Sequence, residues 1–340
     1  MEMKEAIIKL SNLSKHYGQF VAVDQLNLEV NRGEVFGLLG PNGAGKTTTI
    51  LMMLGLTEPS EGTACVCGFS AARDPLAVKR KVGYMPDNVG FYNHMTALEN
   101  LAYIARLNSI DEKHLQERAK TLLDMVGLGA EMNKKTGTFS RGMKQRLGLA
   151  EVLIKSPEVI VLDEPTLGID PAGVKDFLEM IRSLSRQHGL TVLLSSHHLH
   201  HVQQVCDRVG IFVRGKLLAQ GDIPALSSSL FGKEGHITTV RTVQTILQPW
   251  QLEPEMRSWP EIKDISFAAN SIEFSSTREI TPDIVRLLVN NGYDILSVKN
   301  KEFGLDEIYQ KYFEHSFNEN TNNGKSANSF TTNGFTASRK

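Results

Sequence analysis

Gly40-Pro41-Asn42-Gly43-Ala44-Gly45-Lys46-Thr47-Thr48 is the stretch that decides the fold. It fits the spacing G-x-x-x-x-G-K-[ST] and has the context that spacing needs. The apolar run Val35-Phe36-Gly37-Leu38-Leu39 before it reads as a strand, and Thr48–Leu54 after it reads as a helix. Glycines let a backbone wrap closely around phosphate oxygens, while amide N–H groups and a helix N-terminus supply positive potential. Lys46 is then placed to reach the outer phosphates, and the Thr47 hydroxyl to ligate Mg²⁺.

Two further apolar runs lie downstream, Val159-Ile160-Val161-Leu162 and Thr191-Val192-Leu193-Leu194. Strands buried on both faces read as continuously apolar, and such runs alternating with helical patterns indicate an α/β domain with a largely parallel sheet. The first ends in Asp163-Glu164, at the strand edge where open α/β sheets bind ligands. Asp163 is expected to hold Mg²⁺, and Glu164 to polarise the water that attacks a γ-phosphate. The second run leads into Ser195-Ser196-His197. Between about residues 90 and 155 the pattern is mainly helical, as in Ala97-Leu98-Glu99-Asn100-Leu101-Ala102-Tyr103-Ile104, and reads as a helical insertion.

The first domain is expected over residues 1–230. The character changes near Gly232–Gly235, and residues 235–315 read as a small α+β module. Its expected strands are Ile237–Val243, Ser271–Phe274 and Tyr293–Val298; Thr281-Pro282-Asp283 opens a helix that runs to Asn291-Gly292. From Ser316 the composition is Asn-, Ser-, Thr- and Gly-rich with little to bury, so residues 316–340 are expected to be a disordered tail.

Many phosphate-loop proteins share those features; Phe139-Ser140-Arg141-Gly142-Met143-Lys144-Gln145-Arg146-Leu147 separates this one. It resembles the signature LSGGQxQR of ABC ATPases, in the FSRGM form found among ATPases of ABC-2-type transporters. Over about residues 5–225 other marks of that family follow in order. Tyr17 matches the aromatic that stacks on adenine, Leu167-Gly168-Ile169-Asp170 the loop at the dimer interface, and His197 the switch histidine. The resemblance implies a P-loop NTPase fold with a parallel or mixed sheet core. It also implies ATP and Mg²⁺ as ligands, ATP hydrolysis, and a homodimer or pseudo-dimer. Ser140 and Gly142 would open a helix facing the γ-phosphate on the other copy, as a Ser-capped helix N-terminus suits an anion. It implies a motor for integral membrane permease subunits, working in export from the inner face of the membrane. Within the class, Gly83–Leu107 resembles ATPases of copper-enzyme maturation in nitrous-oxide reduction.

One position departs from the pattern. Val82-Gly83-Tyr84-Met85-Pro86-Asp87 puts Asp87 where the family usually has Gln; an oxygen ligand for the metal is kept and an amide donor is lost. That raises a catalytically weak regulatory subunit as an alternative, against which stand the intact Lys46, Asp163, Glu164 and His197. A non-transport ABC protein of translation or DNA repair is the other; tandem ATPase domains or a long coiled coil between the motifs would mark it, and neither is present. His197-His198-Leu199-His200-His201 could suggest a metal site, but no third ligand accompanies His197 and His201.

Bulk properties agree. The 340 residues are 41% hydrophobic and 22% charged with a net charge of -1, which offers no concentrated basic face for nucleic acid. Three cysteines (Cys65, Cys67, Cys206) are too few for a disulfide framework and read as packed thiols. MEMKEAIIKL lacks the apolar block of a signal peptide, and no segment approaches the ~18 uninterrupted apolar residues of a spanning helix, so a cytoplasmic location is expected.

Overall fold

A computed structural model describes residues 5–231, 235–246, 249–301 and 303–313; the tail expected at 316–340 lies outside them. Contacts divide the described residues into two compact units, the first running to Ile223 and the second spanning Pro224–Lys311.

The first unit opens with β1 (Ala6–Tyr17), β2 (Phe20–Asn31) and β3 (Val35–Leu39), then α1 (Lys46–Met53), β4 (Glu61–Val66), β5 (Phe69–Ser70), α2 (Pro75–Lys81) and β6 (Val82–Met85). Three helices follow, α3 (Ala97–Leu107), α4 (Glu112–Met125) and α5 (Arg141–Leu153). The unit closes through β7 (Val159–Asp163), α6 (Pro171–His188), β8 (Thr191–Ser196), α7 (Leu199–Val205), β9 (Arg208–Val213) and β10 (Lys216–Gly221).

Six strands form one sheet in the order β10-β9-β3-β8-β7-β6, parallel except for β10. Every residue of β3, β7 and β8 is buried, which is why those segments read as unbroken apolar runs. A second, antiparallel sheet has the order β2-β1-β4-β5. Alternating side chains of β1 and β2, such as Leu10, Leu26 and Leu28, pack with Ile50 and Met53 of α1 and with Leu38, Val161 and Phe212 of the larger sheet. This core fixes α1 against the ends of β3 and β7. The helix begins at Lys46, two residues before its expected start, because the left-handed Gly45 (φ 106) is its N-cap.

Local signals set the helical segment. Thr96 and Glu99 form a reciprocal capping box at the start of α3, with bonds of 3.1 and 2.7 Å. Ser140 caps α5, accepting from Met143 N at 3.2 Å. The buried side of α5 is wider than a single stripe: Leu147, Leu149 and Ala150 are all enclosed, while Met143 is only half-buried.

In the second unit α8 (Ile223–Phe231), which starts at the boundary, precedes β11 (His236–Thr242), α9 (Pro249–Arg257), β12 (Ile262–Ala268), β13 (Ser271–Ser276), α10 (Thr281–Asn290) and β14 (Ile295–Asn300). The last six form a βαββαβ unit with an antiparallel sheet in the order β12-β13-β11-β14, the ferredoxin-like split arrangement. Val240, Ile272, Phe274, Ile284 and Leu288 fill its core. The last strand starts two residues later than Tyr293, because Gly292 N and Tyr293 N donate to Val289 O and Leu288 O and close α10 instead.

The three cysteines are free and partly exposed rather than enclosed. Burial nevertheless pushes the Cys67 thiol up to about 11, with Glu158 adding to the rise, so at neutral pH it is an unreactive thiol.

Sheet and helical segment meet closely at Gly83, where a Cβ would lie 2.7 Å from Val152 O on α5. Gly83→Ala is therefore expected to lower the unfolding free energy by about 1–3 kcal/mol. Urea denaturation with an unchanged midpoint would show that β6 and α5 can separate freely.

Candidate active site

Parallel order places the C-terminal ends of β3, β8 and β7 side by side, and each end delivers polar residues. From β3 the chain enters the loop Gly40–Gly45. A Cβ on Gly40 would stand 2.1 Å from Phe212 O, and one on Gly45 would stand 2.4 Å from Ala22 O. Only glycine permits both approaches, and they brace the loop against β9 and β2. Ala44 turns back to Pro41 O at 3.1 Å and accepts from Gly215 N at 2.8 Å. Asn42 and Gly43 form the exposed crest, and a Cβ on Gly43 would meet open space. The amides of Lys46 and Thr47 open α1, with Thr48 behind them, so they face the crest without intrahelical acceptors.

Lys46 is 6% exposed. Its Nζ donates to Gly40 O at 2.7 Å and Pro41 O at 3.3 Å, and lies 3.4 Å from Glu164 Oε1. The Thr47 hydroxyl donates to Asp163 Oδ2 at 2.9 Å. The other Asp163 oxygen accepts a short hydrogen bond from Ser195 Oγ, and that same Oγ accepts from Glu164 N at 3.2 Å. Glu164 has a φ of 48°, a left-handed conformation rare for a residue with a side chain. Its Oε2 is 2.9 Å from His197 Nδ1. Its buried Oε1 accepts no hydrogen bond from the described residues, although it faces the Lys46 ammonium.

Thus Lys46, Thr47, Asp163, Glu164 and His197 form one cluster. Ser140 and Gly142 belong to another, built on the loop Leu167–Asp170. The Arg141 side chain lies across Gly168, its atoms 2.7–2.9 Å from where a Cβ would be, and Ile169 packs on Gly142 at 3.5 Å by the same measure. Asp170 caps α6 through Gly173 N at 2.9 Å. Among the described residues, no hydrogen bond or ion pair joins Ser140 or Gly142 to their own phosphate loop.

Asp87 is exposed just past β6 and lines a cavity of about 250 Å³ with Arg141, Lys144 and Gln145. Burial, followed by the charges of Asp163 and Asp87, pushes the Tyr84 phenol up to about 12. Tyr17 is 51% exposed at the tip of the β1–β2 hairpin, opposite Phe20, with the Lys15 ammonium 5.2 Å from its ring centre. The hairpin reaches the loop because Ala22, two residues past Phe20, is what Gly45 packs against. The histidine run is divided: α7 begins at Leu199, so His197 and His201 do not share a helical face. Among the described residues no three or more His, Cys, Asp or Glu side chains gather in a cluster that could hold a metal ion.

Ser195, Thr166 and Phe212 are the neighbours that sequence reasoning missed. A hydroxyl pair ending an otherwise apolar strand was the available signal for Ser195.

A family profile described as ABC transporter matches residues 23–167. The bacitracin transport ATP-binding protein BcrA of Bacillus licheniformis is 43% identical over 214 residues, 63% of this chain and 69% of that protein. The linearmycin resistance ATP-binding protein LnrL of Bacillus subtilis (strain 168) is 37% identical over 226 residues, 66% of this chain and 72% of that protein. A solved ATP-binding subunit of an ABC transporter superposes with a TM-score of 0.60 at 30% identity, covering 66% of this chain and 93% of that one. The chain belongs to the ABC transporter ATP-binding proteins.

As such an ABC transporter subunit it binds and hydrolyses ATP. The matched span contains the phosphate loop, Ser140, Asp163 and Glu164, and leaves Tyr17 and His197 outside. No helix among the described residues is long and apolar enough to cross a membrane.

Ser195 is fully buried and serves two groups at once. Ser195→Ala should therefore lower stability by about 1–3 kcal/mol, because a buried carboxylate oxygen and an amide both lose a partner. A thermal melt indistinguishable from wild type would contradict that accounting.

Proposed function

We propose that this ABC ATPase drives export through separate membrane permease subunits, with ATP clasped between two copies of the subunit. One observation carries the reading. Lys46, Asp163, Glu164 and His197 converge in one cluster, while among the described residues the Ser140 helix end has no hydrogen bond or ion pair to its own phosphate loop.

Residue roles follow from chemistry. Lys46 is held by two carbonyls and a carboxylate, contacts that a triphosphate can replace with stronger charge-assisted bonds. Amides of Gly43, Ala44, Gly45, Lys46, Thr47 and Thr48 would line the phosphates, with Gly40, Pro41 and Asn42 shaping the turn. Tyr17 has the exposure an adenine platform needs. Thr47 and Asp163 offer adjacent hard oxygens, which suit Mg²⁺, and the exposed Asp87 carboxylate is a further oxygen donor. Mg²⁺ bound there would neutralise charge on the phosphate oxygens. Glu164, with one oxygen oriented by His197 and the other accepting no hydrogen bond, is equipped to take a proton from water. His197 would sense the γ-phosphate through the nitrogen that Glu164 does not use.

A homodimer or pseudo-dimer then completes each site, since Ser140 and Gly142 present a capped helix N-terminus to the partner's nucleotide. Bound ATP favours the closed pair through its greater affinity for that state. The half-buried Phe91, the exposed Tyr92 and the Asp87 loop offer a grip for a cytoplasmic helix of the permease, which would place the subunit on the inner face of the membrane. Export is supported by relatives named for bacitracin transport and linearmycin resistance. Copper-enzyme maturation has only the likeness of Gly83–Leu107 behind it and is not favoured.

Glu164→Gln should bind ATP, accumulate as a dimer in light scattering, and lose about 100-fold or more in turnover. Wild-type turnover in that variant would remove Glu164 from its role. Lys46→Ala should weaken ATP binding itself in titration calorimetry, and near-normal affinity would count against the phosphate cradle.

A further inference from the structure

We propose that His201 is a positioning residue for hydrolysis, which holds through Thr166 the turn that carries Glu164. The inference rests on the reading of Glu164 as the group that activates water.

Glu164 sits in a left-handed conformation, so its neighbours must hold it. Upstream the anchor is Ser195, whose backbone and side-chain oxygens both accept from Glu164 N at 3.2 Å. Downstream the chain makes a tight turn, with Leu167 N donating to Glu164 O at 3.1 Å and Ile169 N to Thr166 O at 3.3 Å. Thr166 is 5% exposed in the middle of that turn, and its Oγ1 lies 3.2 Å from His201 Nδ1. This is the tie between the side of the turn away from Ser195 and the segment that supplies His197.

Segment 197–201 therefore approaches Glu164 twice. His197 reaches the carboxylate directly, and His201 reaches the backbone that aims it. Imidazole contacts connect the two: the His197 and His198 rings are 4.0 Å apart between centres, and His198 and His201 are 5.1 Å apart. Burial, and then the charges of His198, His200 and His197, hold His201 below the usual histidine range, so the ring stays neutral at physiological pH. A neutral ring with an unprotonated Nδ1 can accept the Thr166 hydroxyl hydrogen, which fixes the rotamer of that buried hydroxyl. A displaced turn would leave ATP binding intact, because Thr166 is outside the phosphate loop, and would mis-aim the base.

The test is steady-state ATPase kinetics on the full chain with His201→Ala, His201→Asn, Thr166→Val, the Thr166→Val/His201→Ala double variant and Glu164→Gln. The Asn side chain can place a polar atom close to where Nδ1 stands. His201→Ala and Thr166→Val should each lower kcat about tenfold with KM for ATP changed less than about twofold. His201→Asn should recover most of the lost kcat, and the double variant should be no slower than the slower single one, as expected for two ends of one interaction. Wild-type kcat in His201→Ala alongside an inactive Glu164→Gln would overturn the inference alone. So would losses that multiply in the double variant, or an Asn variant as slow as the Ala one. An active Glu164→Gln would overturn the reading of Glu164 and the inference with it.

Discussion

A lysine ammonium held almost out of water beside a carboxylate is the constraint on which this structure turns. Lys46 is enclosed by Gly40 O, Pro41 O and Glu164 Oε1, and a buried cation is tolerable only with such partners. The partners come from different strands, so the ammonium ties the loop after β3 to the end of β7. Strand order supplies the rest: β8 lies between them and contributes Ser195 and His197 to the same cluster. The sheet is thus arranged so that the ammonium proposed to meet phosphate and the carboxylate proposed to meet water are already opposed. Arrival of a triphosphate would separate them, giving Lys46 a new anion and Glu164 a free oxygen.

The strongest chemistry was the most legible. A phosphate loop needs glycine at close approaches, one lysine and one hydroxyl, and those demands are met within nine consecutive residues, Gly40–Thr48, readable as a string. Asp163-Glu164 could be read because three fully buried strands leave a polar pair conspicuous at a strand end. Ser195 and Thr166 were not readable in that way. Each acts through one hydroxyl on a partner more than 30 residues away, Ser195 on Asp163 and Thr166 on His201, and no local spacing encodes such a pair. The early antiparallel sheet was also hidden, since register shifts between β1 and β2 interrupt the alternation that would have announced it. In the second unit β11, β13, α10 and β14 could be anticipated but β12, α9 and the sheet order could not, because β12 and β13 pair as a local hairpin while β11 reaches both β13 and β14 across long separations.

The proposed division of the site between two copies has its own geometric support. The helix end capped by Ser140 is packed from behind by Ile169 and flanked by Arg141 on Gly168, so it is rigidly placed relative to the loop that follows Glu164. Its own phosphate loop makes no bond to it among the described residues. On the proposed reading, this helix N-terminus would gain most from an anion held on another copy, which would link nucleotide occupancy to association.

That link is most directly tested by proximity across the dimer. Asn42→Cys on one tagged copy and Ser140→Cys on a differently tagged copy, both with Cys65, Cys67 and Cys206 replaced, can be mixed and oxidised. With ATP bound in a slowly hydrolysing background, a disulfide-linked species carrying both tags should form, and with ADP it should be strongly reduced. If ATP binds normally and no mixed species appears, the nucleotide is not shared between copies and the account fails.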